Sequence, residues 1–388
     1  MARHTIPLGQ IAGTSIGLDY SWFLIFVLLS WMLATSYFPA EFPHWAPSLC
    51  WLVAAATALL FFVSVLLHEL GHSAVARHYK IPVRSITLFV FGGVAQLSAE
   101  PPNAGAEFRI AIAGPLVSFA LAAIFYAVQM AASGFQPLYG LAKYLSYINL
   151  VLGAFNLIPG YPLDGGRVFR AIVWALTRDL RRATLTAATV GRGFGFLFIL
   201  IGVWQVLGGN HLGGLWIAFI GWFLESAAAS EVAQLVYREA LAGHSVSQAM
   251  SGNCASVSVN LTLQQLVDQH ILGSGRRCFL VNRAESTVGL ITLSRIKQVP
   301  RSNWATTTAE QAMLPLEESK YVSPDSALST SIKLMDRDGV NQLPVISKGK
   351  VVGILSREDV VAFLSTLQEL GLGNVTTTGP HGRGATPL

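Results

Sequence analysis

Charge is scarce in this chain. Only 12% of its 388 residues are Asp, Glu, Lys or Arg, against about 25% in a typical soluble protein, while 52% are hydrophobic. That balance excludes an ordinary soluble enzyme and indicates a polytopic membrane protein. Cysteine is sparse too. Cys50, Cys254 and Cys278 are an odd set without paired spacing, which argues against a disulfide framework and a thiolate metal site. The opening Met1-Ala2-Arg3-His4 leads into a polar, glycine-containing stretch. It lacks the short apolar core and small-residue cleavage site of a secretory signal. The net charge of +5 does not indicate a nucleic-acid partner, because the arginines cluster in loops beside apolar runs, where they set membrane orientation.

Crossing a bilayer takes about 20 apolar residues. Six runs qualify, roughly 20–38, 50–77, 106–132, 140–160, 188–207 and 212–236. Between the second and third, Val83 to Val90 alternates and is rich in β-branched residues, and Phe91-Gly92-Gly93-Val94-Ala95-Gln96-Leu97 follows. This predicts a β-hairpin or re-entrant strand. Arg77, Lys80 and Arg84 follow the second run; Arg167, Arg170, Arg178, Arg181 and Arg182 follow the fourth. The positive-inside rule makes both stretches cytoplasmic, and with them both termini.

Cys50 through Leu67 contains no charged residue, and His68-Glu69-Leu70-Gly71-His72 comes next. Residues four apart share a helix face, so both imidazoles can reach one metal ion. Glu69 beside them can activate a metal-held water. Ionisable groups are costly in lipid and indicate function. The bland alternative, a polar cluster packing helices together, explains neither the residue types nor the spacing. A catalytic zinc usually takes three protein ligands. Asp164 is the candidate third, in Asn156-Leu157-Ile158-Pro159-Gly160-Tyr161-Pro162-Leu163-Asp164-Gly165-Gly166. Prolines and glycines break any helix there. Broken backbone at membrane depth is tolerated where it is buried in protein or lines a watery cavity. Asn156 adds a neutral amide. Gly92 and Gly93 have a bland reading as a bulge or a close backbone approach. Glu225, in the last run, is expected to pair or to reach the interface.

These motifs together resemble the site-2 proteases, intramembrane zinc metalloproteases. The chain has the family's HExxH helix and its Asn-x-x-Pro followed by Pro-x-Asp-Gly, with Tyr161 where many members have proline. Ala113-Gly114-Pro115 is similar to the start of the family's third span, and Gly92-Gly93-Val94-Ala95 to its substrate-facing edge strand. The resemblance covers about residues 5–236. It implies Zn2+ on His68, His72 and Asp164, Glu69 as the catalytic base, and substrate contacts from Asn156, Gly92 and Gly93. The expected substrate is a single-span membrane protein in the cell (inner) membrane.

Beyond about Arg238 the sequence becomes soluble α/β in character, and it repeats. Val246-Ser-Gln-Ala-Met250 answers Ala309-Glu-Gln-Ala-Met313, and Val288-Gly-Leu-Ile-Thr292 answers Val352-Gly-Ile-Leu-Ser356. The repeats, 246–300 and 309–366, resemble paired CBS domains. That implies a homodimer and an adenine-nucleotide site for ATP or AMP, with Ser356 on phosphate and Asp359 on ribose. Arg295 replaces the acidic residue in the first repeat. The expected organisation is a helical protease domain with about six spans and a small β element over 1–240, a cytoplasmic tandem CBS domain over 241–368, and a disordered tail over 369–388. A CBS-regulated divalent metal or ion transporter is the alternative; it has no need of a base at Glu69.

Overall fold

The computed structural model describes residues 5–11, 13–90, 92–252, 255–274, 278–284, 286–316 and 320–371. Most of the expected tail, residues 372–388, lies outside them. The chain divides into two compact units, Met1–Leu235 and Val236–Leu388.

The first unit is helical with one small sheet. Strands β1 (Thr5–Ile11) and β2 (Thr14–Asp19) precede helix α1 (Ser21–Glu41). Helix α2 (Pro47–His78) starts on Pro47 after an extended Ala46, a position where proline's missing N–H costs nothing. It is 32 residues long, or about 48 Å at 1.5 Å per residue, well over the hydrocarbon thickness. Arg77 and His78 close it, suited to the negative end of the helix dipole. Strands β3 (Val83–Phe89) and β4 (Gly92–Leu97) follow. Then come α3 (Ala104–Ala131), α4 (Gln136–Asn156), α5 (Asp164–Thr177), α6 (Leu180–Leu207) and α7 (His211–Leu241).

Among the described residues five helices are long and apolar enough to cross a membrane: α1, α2, α3, α6 and α7. The run expected at 140–160 is helical as α4, but it is less apolar than these. It carries Lys143, which pairs with Glu41, and the fully buried Asn149, which donates to Leu145 O at 2.8 Å and Ser64 Oγ at 3.3 Å. These groups hold helices together within the membrane.

The expected hairpin is half of a four-stranded sheet in the order β1-β2-β3-β4. β2 runs parallel to β3, and β3 antiparallel to β4. The two N-terminal strands were not expected; Ile16 and Leu18 alternate inward along β2. Leu18 and Leu88 pack with Trp22 of α1 and Phe62 and Val65 of α2. The sheet therefore rests on α2, with β4 as its terminal strand.

The arginines counted above as orientation charges divide differently. Arg178 caps α5, and Arg181 and Arg182 open α6. Arg167 and Arg170 lie within α5 and turn inward. Arg170 pairs with Glu107 of α3, which is fully buried. Glu225 of α7 pairs with Arg192 of α6 at 2.9 Å.

The second unit is an α/β module in which the two repeats interlock. The first contributes β5 (Ala255–Ser258), β6 (Cys278–Arg283) and β7 (Ser286–Thr292); the second contributes β8 (Leu314–Pro315), helix α8 (Leu328–Asp338), β9 (Gln342–Ser347), β10 (Lys350–Ser356) and helix α9 (Arg357–Glu369). β8 of the second repeat pairs with β7 of the first, and Ser251 of the first bridges Ile354 of the second. Each repeat thus completes the other's sheet. Gly289 and Gly353 mark the two crossings: a Cβ on Gly289 would lie 2.9 Å from Leu314 O, and one on Gly353 2.8 Å from Ser251 O. We predict that Gly353→Val destabilises this unit by about 1–3 kcal/mol through overpacking. Gly252→Ala, which meets nothing within 4 Å, is expected to be neutral. Urea-dependent proteolysis of the C-terminal unit in the full-length protein measures both.

Candidate active site

Three donor atoms converge where α2, α3 and the start of α5 meet. His68 Nε2 lies 3.0 Å from Asp164 Oδ2, His72 Nε2 lies 3.1 Å from the same oxygen, and the two Nε2 atoms are 3.2 Å apart. Both imidazoles are 4% exposed. A tetrahedral zinc with ligands at 2.0–2.2 Å separates them by about 3.3 Å, close to this spacing.

The hydrogen bonds behind the ligands decide what those atoms offer. His72 Nδ1 donates to Ile110 O at 2.7 Å. The carbonyl can only accept, so the proton sits on Nδ1 and the Nε2 lone pair faces the cluster. His68 Nδ1 meets the Ser118 hydroxyl at 2.9 Å. Such outer partners orient metal-binding histidines and set their tautomer. Lone pairs and a carboxylate oxygen crowded together repel unless a cation joins them. The donor set therefore fits a zinc ion.

The local sequence explains the convergence. Position i and i+4 on α2 align the imidazoles. Pro162 and an extended Leu163 end the break, and Asp164 opens α5. The broken segment is packed to backbone contact: a Cβ on Gly165 would lie 2.3 Å from Leu157 O, and one on Gly166 2.3 Å from the carbonyl carbon of Gly160. α3 supplies Ile110, Gly114 and Ser118 at four-residue intervals, one face of a helix. At Gly114 a Cβ would stand 2.1 Å from His72 Nε2 and 2.6 Å from His68 Nε2. Only glycine lets α3 cross there.

Glu69 and the three ligands line a cleft of about 220 Å3, together with Gly92, Gly93, Asn156 and Arg167. Among the described residues the Glu69 carboxylate has no hydrogen-bond partner. β4 passes directly over it, since a Cβ on Gly93 would lie 2.6 Å from Glu69 Cγ. Gly92 has φ +127°, a backbone state that favours glycine. Asn156 also reaches the cleft, but its Nδ2 donates to Leu152 O of its own helix at 3.1 Å.

Ser356 and Asp359 are brought together, though against each other. Ser356 N donates to Asp359 Oδ2 at 2.9 Å, and Asp359 N donates to Ser356 Oγ at 3.1 Å. This capping box starts α9. Arg295 turns its Nη2 to Met313 O at 3.2 Å. Ser118, the Ile110 carbonyl, the Glu107–Arg170 pair and the place of Arg167 in the cleft were not foreseen. Polarity within or beside apolar runs was the signal for the side chains; the Ile110 carbonyl, a backbone group, gave none.

The family model described as peptidase family M50 matches residues 56–143 and 129–200, and the CBS domain model matches 312–366. The chain is 34% identical over 384 residues to Rip3 of Mycobacterium tuberculosis, named as a zinc metalloprotease; the match covers 98% of each. It is also 34% identical over 371 residues to sll0528 of Synechocystis, likewise named, covering 94% of this chain and 96% of that one. Among solved structures, the site-2 protease from Methanocaldococcus jannaschii is 31% identical and covers 59% of this chain and 95% of its own, with a TM-score of 0.42.

The geometry of α3 generates a prediction. Gly114→Ala is expected to displace an imidazole and abolish zinc retention, and Ser118→Ala to weaken zinc affinity about 10–100-fold. Gly134→Ala, which meets nothing within 4 Å, should retain zinc. Metal analysis after dialysis against a graded chelator gives all three values.

Proposed function

We propose that this chain, which belongs to the M50 family of zinc metalloproteases, the site-2 protease family, hydrolyses a peptide bond in or near the transmembrane segment of single-span membrane proteins. The observation that carries this is a three-donor cluster beside a carboxylate with no hydrogen-bond partner among the described residues, in a cleft walled by a terminal β-strand. His68, His72 and Asp164 would hold the zinc. When bound, zinc supplies Lewis acidity and makes a water acidic enough to ionise near neutral pH. Glu69 takes a proton from the attacking water and delivers it to the leaving amine, the two-stage task of a general base and acid. The edge of β4, which pairs with no further strand among the described residues, offers main-chain donors and acceptors to a substrate segment, which would add as a further strand. Gly92 and Gly93 keep that approach open. The substrate must unwind first, because a helical peptide bond is shielded by its own hydrogen bonds and side chains.

A transporter would bind its ion without any carboxylate like Glu69, so the free base favours hydrolysis. The basic residues after α2 and at the start of α6 support an inward orientation of both termini in the cell (inner) membrane. We place the paired CBS repeats, over 241–368, in the cytoplasm, where they would form the homodimer contact and take ATP or AMP. Asp359 keeps one oxygen clear of its capping box for a ribose. Nucleotide binding would regulate proteolysis only if it favours one conformation over another.

The test compares membrane-protein fragments in cells producing the wild type or Glu69→Gln. Loss of the general base is expected to slow cleavage about 10²–10⁴-fold while zinc content stays unchanged. A single-span protein that accumulates only with Glu69→Gln identifies the substrate. Equal fragment profiles in both strains, with undiminished metal flux, would favour transport instead.

A further inference from the structure

Two arginines lie three residues apart on α5 in opposite circumstances. Arg170 donates through Nε to Glu107 Oε1 at 2.6 Å, and its guanidinium lies 5.5 Å from the centre of the Tyr161 ring. Its charge is balanced. Arg167, one turn nearer Asp164, is half-buried and lines the cleft with Glu69 and the three ligands. Its backbone N–H donates to Leu163 O at 3.3 Å, but among the described residues its guanidinium has no hydrogen bond and no ion pair within contact distance.

A guanidinium stays charged at any working pH and presents five N–H donors. Held in the cleft within electrostatic reach of the Glu69 and Glu107 carboxylates but hydrogen-bonded to neither, it leaves its donors unspent, a cost that a functional role would offset. It cannot act as a proton donor in catalysis, so its use must be to hold an oxygen. The cleft itself suggests which one. When water's oxygen bonds to the carbonyl carbon, the C=O π pair moves onto the carbonyl oxygen and negative charge develops there. Asn156 lines the cleft with a side-chain amide, and one of its N–H bonds is already spent on Leu152 O.

We propose that Arg167 is a further catalytic residue, donating to the scissile carbonyl oxygen and stabilising the oxyanion that forms on it. This rests on the proteolytic reading above. As the C–N bond breaks, the electron pair returns to re-form the carbonyl, Glu69 gives its proton to the amine, and Arg167 keeps all of its own. Donors aimed at developing charge, rather than at the ground-state carbonyl, raise kcat more than they lower KM.

The experiment uses full-length wild type, Glu69→Gln, Arg167→Gln, Arg167→Lys and Arg167→Ala with the single-span substrate found by the comparison above. It reads kcat, KM, zinc content and, by calorimetry, the affinity for a phosphinic pseudopeptide copying the cleaved bond. Its PO2− group mimics the oxyanion. Arg167→Gln is expected to lower kcat by about 10²–10³ and to weaken phosphinate binding by a similar factor. KM should change by less than about threefold and zinc should remain stoichiometric. Arg167→Lys, which keeps the charge without the fork, should fall between, and added guanidinium should restore part of the rate to Arg167→Ala but none to Glu69→Gln. The proposal is overturned if Arg167→Gln cleaves at the wild-type rate, if its loss follows loss of zinc, or if the loss lies wholly in KM. Wild type no faster than Glu69→Gln would remove the proteolytic reading and this inference together; active wild type with equally active Arg167→Gln removes only the inference.

Discussion

The crossing of α3 over α2 at Gly114 is the constraint on which the rest of the first unit depends. With no side chain at that point, the backbone of α3 lies against both imidazoles. The same face of α3 then reaches each histidine's far nitrogen through Ile110 O and Ser118 Oγ. One helix therefore seals the donor cluster and sets its tautomers. Pro115 follows immediately within α3; proline in a helix frees a carbonyl one turn back, and here that carbonyl belongs to Ala111. The packing at this point comes from small residues, as is usual where helices cannot rely on water to drive them together.

Charge is rationed along the same lines. Glu107 is wholly buried and is met by Arg170 from α5. Removing one partner of such a pair leaves an uncompensated charge, so each partner depends on the other. Because Asp164 opens α5 six residues before Arg170, the pair also ties the third ligand's helix to the helix that supports the first two. α6 and α7 are joined through Arg192 and Glu225, and their close approach is made at Gly195 and Gly221.

The parts of this arrangement that were legible in the sequence are those set by local periodicity. His68 and His72 share a helix face because they are four apart, and the spans followed from runs of apolar residues. Asp164 stood out because prolines and glycines flank it. What could not be read depends on pairs far apart in the chain. Ser118 and His68 are 50 positions apart, and Glu107 and Arg170 are 63 apart; no local pattern joins either pair. The place of Arg167 in the cleft was hidden for a related reason. Five arginines in one stretch look alike as orientation charges, and only the turn of α5 separates the inward two from the outward three. The N-terminal strands were missed because β1 has no buried residue and β2 turns only alternate residues inward, so no apolar run was long enough to register. The repeats were visible by their offset, but their exchange of strands was not, since equal spacing fits side-by-side and interlocked halves alike.

Among the described residues β4 ends its sheet with an unpaired edge. An open edge ordinarily invites any extended chain and is a liability for aggregation. Here it lies in a cleft beside Glu69, and the dimensions of the guest become the filter. An α-helix with its side chains is about 10–12 Å across, whereas paired strands sit about 4.8 Å apart. A chain that stays coiled is too broad to draw up beside β4, whatever its side chains. Selection among membrane proteins would then turn on how cheaply a segment gives up its helical hydrogen bonds, so that glycine, proline and polar residues in a span, rather than any fixed recognition sequence, would mark it for cutting.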